Sequence, residues 1–477
     1  MADPLKDIVG YQKSLFALLS EFFRRATGVD TPEQFATFDS FSDVIRGNAT
    51  TLSARGQDAF VWADENIRPY YAKESAAAYG NARQLGGLKL VQGGGSGFLS
   101  DHLASVRGSL LYADTVLIPD PVFPWFETER LEERFRHVKL IEAVFAVLHL
   151  KPLIDADLRI PPVCIFPSFE KSLDKDDDVT RQGAAQLITD VLAYYIDPGL
   201  QQIDDVRQFA VKHSERFVEK VGLASLFVAP GGPVGEPIHD ALARYIANLE
   251  TWRSPEWLAW FHKLPIHAQV LNGIMERIAP QYHLLENADE LASHPLVAVE
   301  QQAYYLRIIA DMDNARLTHL QALIPEHEML IRGLGHERMR WLSNVPIDAL
   351  IELRRNGENV QFRDRLLNSF SALHRADLNN IDRVAAEIGT EISRMQAEHD
   401  AHIKEIQEKY QTSYSLTAVG AWAAAGAAFI PALAPFVGTA APFALAAKYA
   451  WDKIAETKER DAAERSLIGV VARSADR

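Results

Sequence analysis

The strongest constraint on this chain is a run without charge. Between Lys409 and Lys448 there is no Asp, Glu, Lys, Arg or His, although charged residues make up 24% of the protein. Thr412 to Ile430 can be helical for about 19 residues, roughly 28 Å, close to the hydrocarbon thickness of a bilayer. Gly420, Ala424 and Ala428 recur every fourth residue, a ridge of small side chains that lets two helices approach closely. Pro431, Pro435 and Pro442, with Gly438 among them, forbid one continuous helix and make an apolar turn.

The return arm from Phe443 reaches Lys448 too soon for a second full crossing. Seventeen of the 32 residues from Leu416 to Ala447 are Ala or Gly, so the segment is less hydrophobic than a Leu-rich anchor. A half-depth wedge, or one crossing with a re-entrant tip, fits these lengths. So does a helical hairpin buried in an oligomer. The side chains placed to meet lipid or a partner are Trp422, Phe429, Ile430, Phe436, Val437 and Phe443. In composition the stretch, over about 35 residues, is similar to the apolar hairpins of bacterial pore-forming toxins such as colicins.

Around this segment the pattern is mainly helical. Residues 1–84 form an N-terminal helical region, in which Leu15, Leu18, Leu19, Phe22 and Phe23 share one face. Residues 85–235 read as a small embedded α/β region. Its β-branched or aromatic runs, ended by Pro, Gly or Asp, predict strands near 86–91, 115–120, 162–167 and 225–229. A helical domain occupies 236–378, with Trp252, Trp257 and Trp260 clustered in it as packing residues. A long amphipathic helix over 379–410 carries a coiled-coil-like seam through Ile381, Val384, Ile388, Ile392, Met395, His399, His402 and Ile406, which calls for a helix partner along 381–406. The apolar hairpin and a final helix occupy 411–477.

No motif names a reaction. Gly93-Gly94-Gly95-Ser96-Gly97 comes after a strand and precedes a helix, but it lacks the Lys-Ser/Thr of a Walker loop and the Rossmann spacing of glycines. Asp174, Asp176 and Asp178 begin like a calcium loop, yet Val179 and Ala185 stand where Gly and a bidentate Glu are needed. Asp120 ends a predicted strand, where carboxylates of α/β sheets line ligand crevices. Arg207 and His213 have the spacing of an acid–base pair for phosphodiester cleavage. His399 and His402 lie on one helix face and could share a metal, but as seam positions they read as polar register marks. No metal or cofactor is therefore expected.

A formal charge of −15 argues against nucleic acid as partner, and the single cysteine, Cys164, excludes an internal disulfide. The N-terminal stretch lacks a secretory pattern, because Lys13 and Glu21 interrupt its apolar run. Together these features point to a cytoplasmic, membrane-associated effector or interaction protein, peripheral to or anchored in the inner or plasma membrane. Its hairpin, about 412–447, would insert into or dock on a bilayer or self-associate. Two alternatives stand beside it: a soluble scaffolding or oligomeric helical protein with the hairpin buried in an interface, and a phosphodiester or nucleotide hydrolase using Arg207 and His213 or Asp120.

Overall fold

The computed structural model describes residues 4–30, 41, 49–93, 99–127, 133–156, 158–166, 177–250, 253, 255–296, 300–319, 345–370, 383–384 and 386–405, with isolated positions between 458 and 469. The described chain is mostly helical, with a small parallel sheet of four strands. The charge-free segment 412–447 lies outside the described residues. Among the described residues no helix is long and apolar enough to cross a membrane.

Two long helices open the chain, α1 (Pro4–Thr27) and α2 (Ala49–Gln84). They pair along buried stripes: Ile8, Tyr11, Leu15, Leu19, Phe22 and Ala26 on one, and Ala63, Ile67, Tyr71, Ala78 and Ala82 on the other. The helical period of these positions makes the two faces continuous. After α2 the chain turns at Gly87, whose φ of +85° suits glycine and whose missing Cβ leaves room for the Asp114 carboxylate.

The sheet then begins with β1 (Lys89–Gln92), crosses through α3 (Leu99–Ser109) and continues with β2 (Thr115–Pro119). Helices α4 (Pro124–Glu127), α5 (Glu133–Leu148) and α6 (Lys151–Asp155) lead to β3 (Val163–Phe166). β1 is buried along its whole length, as parallel strands covered on both faces are. These three strands lie within two or three residues of where the sequence placed them.

The expected strand at 225–229 does not form. After a turn at Ser225, with φ +53°, Leu226–Ala229 is instead a buried segment without regular secondary structure inside a helical layer. That layer comprises α7 (Asp177–Tyr195), α8 (Ile203–Lys212), α9 (Ser214–Leu223), α10 (Ile238–Leu249), α11 (Pro255–Phe261) and α12 (Ile266–Glu290). The fourth strand is β4 (His294–Leu296), which pairs with β1 in the register Leu90 to His294. Beyond it comes α13 (Glu300–His319). Pro295 is tolerated because β4 is an edge strand.

α13 supplies the hydrogen bonds that the missing strand would have made. The Tyr305 hydroxyl accepts from Val228 N at 3.1 Å and donates to Leu226 O at 3.2 Å. Tyr304 donates to Ser225 O at 2.8 Å, and Gln301 to Val228 O at 2.9 Å. Side chains thus satisfy a buried main chain. Gly273 of α12 leaves the space that the Phe227 ring occupies, so the segment is held by packing as well.

Among the described residues, buried apolar side chains form two clusters. One surrounds the sheet and includes α1, α2 and α5; the other lies among α7 to α13. Helices α14 (Ile347–Arg355) and α15 (Glu358–Phe370) return to the first cluster. A final described helix, α16, runs over 383–405. Its seam residues Val384, Ile388, Ile392 and Met395 are buried in that same cluster, and Arg365 of α15 reaches Glu391 at 3.2 Å and Glu398 at 2.7 Å. The partner of this part of the seam is the body of the protein. Ile381 and Ile406 lie outside the described residues.

Candidate functional site at the carboxyl end of the sheet

The strand order is β3-β2-β1-β4, and every pairing is parallel. The chain therefore extends the sheet from β1 in one direction through β2 and β3, then returns to add β4 on β1's other side. In open parallel sheets, ligands bind outside the carboxyl ends of the strands where the order reverses. Here that point lies between β1 and β4.

The residues around it come from several elements. Gln92 is fully buried at the end of β1 and donates to Ser105 Oγ of α3 at 3.2 Å. A Cβ on the next residue, Gly93, would stand 3.2 Å from Gln302 Nε2 and 3.8 Å from the Leu284 side chain. The backbone at the end of β1 is thus closely bordered by α12 and α13. Gly94 to Gly97, the rest of the glycine run, lie outside the described residues.

Asp120 comes directly after β2, 4% exposed. Its Oδ2 accepts a hydrogen bond from the Tyr71 hydroxyl of α2. Its Oδ1 accepts from Val122 N at 2.7 Å and Phe123 N at 3.4 Å, the local turn that aspartate favours before proline. Aromatic rings enclose the group: Tyr71 meets Phe123 edge-on at 5.1 Å and Phe126 at 6.3 Å. Burial raises its pKa to about 6, against the three hydrogen bonds, which favour the charged form. The neighbouring Tyr71 phenol is pushed up by burial and by the Asp120 charge.

The outer edge of β3 is closed by a side chain. Gln12 of α1 donates to Ile165 O at 2.7 Å and accepts from Ile165 N at 3.1 Å, taking the place of a further strand. One residue earlier, Tyr11 stacks on Tyr70 at 5.4 Å, and Tyr70 donates to Tyr11 O at 3.0 Å. Cys164 is fully buried beneath, its thiol pushed up to about 12 by desolvation, which makes it unreactive.

The other sequence candidates are placed apart from this site. Arg207 is on the exposed side of α8, paired with Asp204 at 2.9 Å. His213 joins α8 to α9, its ring 5.2 Å from that of Phe209. His213 has non-helical backbone angles, φ −127° and ψ 46°, so it ends α8 while Arg207 lies within it. His399 is half-buried on α16, whereas His402 is 57% exposed and 3.8 Å from Glu405. No group of three metal-ligating side chains occurs among the described residues. Trp257 stacks on Phe261 at 4.9 Å under the Arg253 guanidinium, Trp260 is half exposed, and Trp252 lies outside the described residues.

Sequence reasoning found Asp120 but missed Tyr71, Tyr11 and Gln12. Each sits at an ordinary position of an amphipathic helix, and nothing in its local pattern marks the strand end it meets. Trp422, Phe429, Ile430, Phe436, Val437 and Phe443, with Gly420, Ala424 and Ala428, lie outside the described residues. No protein-family model, no curated protein and no solved structure matches the chain.

Proposed function

We propose that the protein is a membrane-associated effector or interaction protein in which a folded body carries an apolar hairpin at about 412–447. The observation that carries this reading is the run from Tyr410 to Ala447 without a single charged side chain. Water-facing turns are normally polar, so an apolar turn of this length needs cover from lipid or protein. The helix that leads toward it supports the reading. The seam of α16 is buried through Met395 and half-buried at His399 and Ile403, while Glu405 at the end of the described helix is 80% exposed. The expected partners are lipid or a second copy, and the expected place is the cytoplasmic side of the inner or plasma membrane.

Replacing Phe436 with Asp tests this directly, because a charge costs about 2.5 to 3.5 kcal/mol at the centre of a membrane helix. Flotation of the full chain with liposomes should be lost in Phe436→Asp while the melting temperature is unchanged. Loss of oligomers with no liposome binding in either protein would favour the scaffolding alternative.

A second reading concerns the body. The reversal of strand order between β1 and β4 favours binding of a small ligand there. A phosphodiester or nucleotide hydrolase would use the same edge. In that reading Asp120 holds the wall of the site instead of acting as its base, since its oxygens are occupied by Tyr71, Val122 and Phe123.

A further inference from the structure

Asp120 is a buried carboxyl without a cation. Among the described residues it has no ion pair, and its partners are a phenol and two amides. The titratable groups that face it come from two helices. α2 contributes Tyr71, and Tyr70 and Glu74 beyond it; α1 contributes Tyr11, whose phenol feels the Asp120 charge. Arg68, one turn before Tyr71, is directed elsewhere, to Phe126 O at 2.6 Å and Asp64 at 2.6 Å. The Tyr11 hydroxyl is buried and has no hydrogen-bond partner among the described residues.

We infer that Asp120 is a proton-operated joint between the sheet and the helical layer of α1 and α2, tight when the carboxyl is protonated and loosened when it is charged. As a carboxylate, Asp120 only accepts hydrogen bonds, and its charge is held in an aromatic enclosure that gives it no counter-ion. Taking one proton from solvent removes the charge and creates an O–H donor. The Tyr71 hydroxyl, which donates to Oδ2 of the carboxylate, gives up that donation when Oδ2 carries the proton, and its oxygen accepts instead. The Tyr11 phenol on α1 feels the charge that is removed.

The direction of the pH effect is set by burial. The carboxyl titrates at about 6 in the fold and at 3.8 when unperturbed. A raised folded-state pKa gives stability that is fully present below about pH 4 and is lost as pH rises through 6. A difference of about two units corresponds to roughly a 100-fold change in the opening equilibrium.

Amide hydrogen exchange on the full chain, corrected for intrinsic rates, reads this opening. Between pH 5 and pH 8, α1 and the middle of α2 should lose about 10-fold in protection relative to α8 and α10, which serve as internal reference, because the rest of the roughly 100-fold change falls below pH 5. Asp120→Asn should abolish that relative change. Tyr71→Phe removes a hydrogen bond that favours the carboxylate, so the midpoint should move to higher pH. A constant protection ratio in the unaltered protein, a pH dependence that survives in Asp120→Asn, or a midpoint that falls in Tyr71→Phe would each overturn the inference. Should Asp120→Asn fail to fold, the unaltered protein and Tyr71→Phe still decide it.

Discussion

β2 is flanked by two aspartates, and they are held in opposite ways. Asp114, just before the strand, accepts from Leu88 N at 2.7 Å, from Arg363 at 3.0 Å and from Asn359 at 3.2 Å. Arg354 sits in the same cluster and donates to Ala113 O at 2.7 Å and to the main-chain oxygen of Asp114. Burial lowers the Arg354 pKa only to about 10, so it stays charged at neutral pH. Asp120, just after the strand, has no cation among the described residues. The amino end of the sheet is therefore a compensated ionic cluster that fastens α14 and α15 to the turn before β2. The carboxyl end is left electrostatically open, on the side where parallel sheets take ligands.

The largest test of this contrast is Arg363→Ala. The Arg363–Asp114 pair is only 12% and 8% exposed, and removing one partner of a buried pair costs about 3 to 5 kcal/mol, here because the Asp114 carboxylate loses the cation that hydrogen-bonds it directly. Urea unfolding should show a loss of that size, with α14 and α15 the first elements to lose hydrogen-exchange protection. A loss under about 1 kcal/mol would mean that Arg354 and Asn359 already compensate Asp114, and the two ends of β2 would then differ less than their geometry indicates.

A mid-sized effect is expected from Tyr305→Phe. It leaves Val228 N and Leu226 O buried without their partner, each worth about 1 to 3 kcal/mol, with little change in volume. This sharpens the comparison because neutral hydrogen bonds, not charge, hold this region. Its loss should be the same at low and high salt, whereas that of Arg363→Ala should shrink modestly with salt.

The same residues show what the sequence could and could not tell. Three strands were legible because Leu90–Val91, Val116–Ile118 and Val163–Ile165 are short apolar runs ended by breakers, and such runs suit the buried strands of a parallel sheet. Leu226–Ala229 has the same character, yet it lies beside Tyr304, Tyr305 and Gln301, some 75 residues later in the chain, and they replace a ladder with side chains. β4 was hidden for the opposite reason. His-Pro-Leu carries little strand signal, and its pairing is fixed by Leu90, about 200 residues away. At the candidate site, Asp120 announced itself through the Pro-Asp-Pro turn. Its role depended on Tyr71 and Tyr11, whose contacts are set only when α1 and α2 dock.

The smallest expected effect concerns an arginine–aspartate pair with the same chemistry as Arg363–Asp114 in a different solvent. Arg207 and Asp204 are 2.9 Å apart, slightly closer than the buried pair, but 57% and 66% exposed. Water screens both charges, and each is fully solvated when its partner is removed, so distance alone does not predict the energy. Arg207→Ala should shift stability by less than about 0.5 kcal/mol. Combined with His213→Ala, it should leave hydrolysis of a phosphodiester or nucleotide probe unchanged, since Arg207 is exposed and paired with Asp204. Were the double variant to lose a turnover that the unaltered protein displays, a catalytic site on α8 would replace the sheet edge as the place to look for chemistry. An unchanged double variant beside a strongly destabilised Arg363→Ala would show that burial, not the presence of an ion pair, separates the fastened end of this sheet from the rest of the molecule.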